Sequence, residues 1–162
     1  MGEMSKALRG MMARDYEART GAEQLESGSR IAPSASPADH VRLGLLQMLL
    51  PELVAAVEQV IVQSTDNASA RGMAGGLLSY VCNPLDIIGD ELPLGRVDDA
   101  LICAIGLERL RQLHRVELGP RTEAVCRAAT DCLGYLAMDL QHSIEDFVAD
   151  LERSTRVKET KR

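Results

Sequence analysis

Along most of this chain apolar residues recur at intervals of three and four, the period of an amphipathic helix. The last third is cleanest. Val125, Ala129, Cys132, Leu136, Leu140, Ile144, Phe147 and Leu151 form one line, with Glu123, Arg127, Asp131, Asp139, Glu145 and Asp150 on the other face. This predicts one continuous helix opened by Pro120, directly after the stop signal of Gly119. A second stripe runs through Leu45, Leu46, Leu49, Leu53, Ala56, Val57, Val60 and Ile61. Ser36 suits its N-cap, Pro37 its first position and Asp39 its positive end. Pro51 falls inside it, where it removes a hydrogen bond and collides with the previous turn, so a kink or break is expected at Leu50-Pro51.

Between these stripes, Thr65-Asp66-Asn67 ends one helix or caps the next, and Ala68–Cys82 reads as a helix stopped by Asn83-Pro84. Its glycines Gly72, Gly75 and Gly76 weaken it by up to about 1 kcal/mol each, a cost tolerable where a neighbouring helix approaches closely. A further helix is expected to start at Asp98 or Asp99 and run to Leu118. Its first half, Ala100–Leu107, is apolar on every side and predicts the central buried helix. In its charged second half only Leu110, Leu113 and Val116 keep a buried stripe.

At the start of the chain, Met4, Leu8, Met11, Met12, Ala18, Ala22 and Leu25 form a weaker stripe, interrupted by Gly10 and Gly21. The organisation expected is an N-terminal helical segment at 1–26, which either packs back on the domain or docks on another protein. A linker follows at 27–36, then a helical domain at 37–152 and a basic tail at 153–162. The fold expected is all-α: an antiparallel bundle of four to five helices with a tight Pro/Gly/Asp corner at 83–97.

Composition narrows the function. The 162 residues fit one domain, and aromatics make up only 2% of them, so the core must be aliphatic. A net charge of −6 and the lack of stacking aromatics argue against nucleic-acid binding. No apolar run is long enough for a membrane span. Cys82, Cys103, Cys126 and Cys132 all lie in apolar settings without a CxxC pair, and are read as reduced core thiols, which suits a reducing cytosol. His40, His114 and His142 have polar neighbours and read as surface residues. No nucleophile elbow or phosphate loop is present, so the catalytic inventory is poor.

The dense acidic stretch is 80–99, with Asp86, Asp90, Glu91, Asp98 and Asp99 among apolar residues. Two readings compete. Asp98 or Asp99 caps the next helix and Arg96 pairs with the acids, which fixes a turn. Alternatively, Asp86, Asp90, Asp98 and Asp99 converge on Mg²⁺ or Ca²⁺, which in turn binds a phosphorylated ligand. Leu85, Ile87, Ile88 and Leu92 are expected to plug the bundle at this corner.

Tyr80, Asn83-Pro84-Leu85-Asp86-Ile87-Ile88, Asp90, Pro93, Gly95, Arg96 and Asp98-Asp99 occupy the turn. With the exception of Arg96, these residues resemble the signature of the YkvA-like family, a bacterial domain of unknown function. Gly89 stands where that family has a second proline, and the step from Pro93 to Gly95 is one residue short. The resemblance implies a small helical domain, often membrane-associated, and no activity. The function expected is therefore a non-enzymatic interaction or assembly module that binds another protein through residues 1–26 or a second copy of itself. Its expected location is cytoplasmic, free or peripheral to a membrane through Met4–Met12 and the basic tail.

Overall fold

The computed structural model describes residues 30–83, 87, 88 and 94–159. Among these residues six α-helices follow one another: α1 (Pro37–Met48), α2 (Leu50–Gln63), α3 (Ala68–Val81), α4 (Val97–His114), α5 (Pro120–Cys132) and α6 (Met138–Glu159). A 3-10 turn, Leu133–Tyr135, separates the last two. The molecule is all-α, and its helices pack as a bundle. The stripe expected at 3–26 lies outside the described residues.

The capping chemistry acts as its residue types dictate. Ser36 and Asp39 form a reciprocal capping box, with the Asp39 N–H donating to Ser36 Oγ at 3.3 Å and the Ser36 N–H donating to Asp39 Oδ2 at 2.8 Å. Asn67 caps α3 by accepting from the Ala70 N–H at 2.9 Å. Pro51 breaks the second stripe as expected: α1 ends at Met48, α2 restarts at Leu50, and the two axes differ by 44°.

α4 is the hub and touches all five other helices. Val97 through Ala104 are fully buried, or nearly so, in an unbroken run. Around it lie Leu43, Leu53, Val57, Met73, Leu77, Cys126 and Ile144, all at most 1% exposed. Close approach explains two glycines. A Cβ on Gly76 would collide with the Leu151 side chain, and one on Gly106 would lie 2.5 Å from Leu77. Gly75 has open space beside it.

Several expectations are corrected. The long C-terminal helix is two helices, because Leu136 is extended (φ −85, ψ 160) and bridges Ile31. The Ala32 N–H donates to the Tyr135 carbonyl at 2.8 Å, and the Ala137 N–H to that of Arg30 at 2.9 Å. The second half of the expected linker is therefore fastened to the domain, with Ile31 only 4% exposed. α4 stops at His114, where Arg115 turns left-handed (φ 54), so Leu113 is exposed and His114 half-buried. Cys82 is exposed, unlike the other three cysteines. Leu45, placed in the buried stripe by its spacing, is 56% exposed, and Leu43 and Leu50 face the core beside the expected Leu46.

Candidate functional site: the corner between α3 and α4

The corner joins the last turn of α3 to the first turn of α4. Tyr80 sits one residue before the end of α3 and is buried, with its ring 4.7 Å from that of Phe147 on α6 and tilted by 53°. This contact aims the hydroxyl at α4. There it donates to Asp98 Oδ2 at 2.7 Å and accepts from the Ile87 N–H at 2.8 Å. Asp98 Oδ2 also accepts from the Ile88 N–H at 3.0 Å. One tyrosine and one carboxylate thus hold two consecutive peptide N–H groups of the connecting loop, and Ile88 is driven into the interior at 2% exposure.

Asp98 is wholly buried, and loss of water pushes its carboxyl above the ordinary carboxylate range, although its hydrogen bonds work against that rise. Burial, reinforced by the Asp98 carboxylate, pushes the Tyr80 phenol well above its usual value. The tyrosine therefore remains a proton donor to Asp98. Asp99 is also buried, and Arg96, mostly buried itself, lies 3.6 Å from it. The expected Arg96–acid pairing is present.

The capping expectation for Asp98 and Asp99 is overturned. The N-cap of α4 is Arg96, with no side-chain cap, and the two acids are the second and third helical residues. Both still sit at the positive end of the helix dipole, where Asp98 holds a loop N–H and a phenol as well as backbone N–H groups of its own helix end. Before the helix, Leu94 takes a left-handed backbone (φ 62) and its carbonyl accepts from the Val97 N–H at 3.0 Å. Gly95 behind it is buried. Asn83 is exposed, and its N–H donates to the Tyr80 carbonyl at 2.8 Å as α3 ends.

Of the four acids expected to hold a cation, Asp98 and Asp99 are side by side in the first turn of α4, whereas Asp86 and Asp90 lie outside the described residues. So do Pro84, Leu85, Leu92 and Pro93. No group of three metal-ligating side chains occurs among the described residues. The buried thiols Cys103 and Cys126 are held out of reactive chemistry: burial raises Cys103 strongly and pushes Cys126 up to about 12.

The feature that sequence reasoning passed over is on α1. Val41, Leu45 and Met48 are 62%, 56% and 48% exposed and lie four and three residues apart, along one side of the helix. The signal was present as a second apolar stripe, out of phase with the buried one.

No curated protein and no solved structure matches the chain. Residues 70–105, which hold most of α3, the corner and the first half of α4, match the model of the family described as "Protein of unknown function (DUF1232)", and the YkvA-like signature at 80–99 is consistent with that family.

Proposed function

We propose that this chain is a non-enzymatic helical interaction or assembly module, free in the cytoplasm or peripherally attached to a membrane. The observation that carries the reading is the exposed apolar stripe Val41–Leu45–Met48 on a helix whose opposite side already packs on the core. A soluble helix with apolar residues on two sides has a surface suited to a partner. The corner supports the same reading, since Tyr80 and Asp98 act on the protein's own backbone. Affinity capture with the full chain tests it: a protein retained by wild type should be lost with Leu45→Asp at unchanged melting temperature. Equal retention by both chains would sink the reading.

The alternative is a divalent cation held by Asp86, Asp90, Asp98 and Asp99 that binds a phosphorylated ligand. What favours it is that Asp98 and Asp99 are adjacent and buried at one helix end. On this reading millimolar Mg²⁺ or Ca²⁺ raises the melting temperature of wild type and not of Asp98→Asn. No shift in wild type would remove it.

A further inference from the structure

We infer that the apolar stripe of α1 is a docking seam for residues 3–26 of the same chain. This goes beyond the module reading: the segment covers in cis the surface that a partner protein would have to take over.

Three observations meet here. First, spacing: Val41, Leu45 and Met48 stand at steps of four and three, and Met4, Leu8 and Met11 repeat those steps. Two helices with apolar positions spaced this way interdigitate along a seam, and methionine adapts to an irregular partner. Second, the point of emergence is fixed beside α1. The Arg30 carbonyl is held by the Ala137 N–H, and Ile31 bridges Leu136. The adjoining Tyr135 is tied to α1, because Arg42 donates to its hydroxyl at 3.1 Å and lies over its ring. The chain thus leaves the domain next to the helix that carries the stripe.

Third, reach: the residues between Met11 and Arg30, at about 1.5 Å each if helical and about 3.3 Å if extended, exceed the length of α1. Ser27-Gly28-Ser29 has linker composition. Such a tether holds the segment at an effective concentration in the millimolar range, so even a weak seam is occupied in cis.

The experiment is disulfide trapping in the full chain with Cys82→Ser, which removes the exposed native thiol. Met11→Cys is combined with Leu45→Cys, and in a control with Val62→Cys, a position 74% exposed on α2 beyond the bend. Leu45, Val62 and Cys82 are exposed, so these substitutions leave the domain folded, which its melting temperature checks. With diamide at low micromolar protein, the Met11→Cys/Leu45→Cys chain should close an intrachain disulfide about tenfold or more faster than the control. Equal rates in the two pairs would overturn the inference. So would a predominantly interchain product, which assigns the seam to a second copy, or no product at all, which leaves it to a partner of another kind.

Discussion

Tyr80 carries more than its ring. Its hydroxyl satisfies a buried carboxylate on one side and a loop N–H on the other. Tyr80→Phe keeps the contact with Phe147 but leaves both groups short of a partner, at a cost of about 1–3 kcal/mol, read as a lower denaturant midpoint. Asp98 gives this pair a pH signature. Burial holds its carboxyl above the ordinary range in the folded state. The folded protein therefore keeps a proton that the unfolded chain has already released. Stability from this group is fully present below the unfolded value, near 4, and is lost as pH rises through the raised folded value. Chemical denaturation from pH 4 upward should show the wild type losing stability relative to Asp98→Asn. A gap that is constant with pH, or that grows in favour of the wild type, would contradict the buried carboxyl.

Helices α1, α2, α3 and α5 open where local chemistry says they must, at Ser36-Pro37, Pro51, Asn67 and Pro120. Those starts were legible because caps and prolines act within a few residues. The break between α5 and α6 was not. Cys132, Leu136, Leu140 and Ile144 keep helical spacing straight through it, and their burial requires only that spacing. What interrupts the helix is the extended strip around Ile31, a contact from the far end of the chain that no local window contains. The corner was half legible. Its residue types and the Arg96–acid pair could be read, but the direction in which Asp98 points depends on where α3 places Tyr80. Helix contact also sorts the glycines. Gly76→Ala crowds Leu151 and costs about 1–3 kcal/mol of overpacking, which outweighs a propensity gain of about 1 kcal/mol. Gly75→Ala meets nothing and should gain about 0.5–1 kcal/mol. Melting temperatures should rank Gly75→Ala above wild type and wild type above Gly76→Ala.

At the scale of the whole molecule, the bundle is closed by segments that meet from opposite ends. Ser69 Oγ donates to the Thr155 carbonyl across 86 residues of sequence, and Ile31 seals the gap between α5 and α6. Ile31→Ala should cost about 2 kcal/mol or more, a drop of several degrees in melting temperature, because a buried aliphatic side chain is lost and its site stays partly empty. The Tyr80–Asp98 bond, by contrast, spans only 18 residues. A contact that closes so short a loop forms at little entropic cost. As a ribosome releases the chain, α3 and the start of α4 can lock together before the final two helices have been made, whereas the strip at Ile31 must wait for the C-terminal part. Stopped-flow kinetics should then show Tyr80→Phe slowing refolding and Ile31→Ala chiefly hastening unfolding. This hinge-like lock would give the newborn chain its first fixed point.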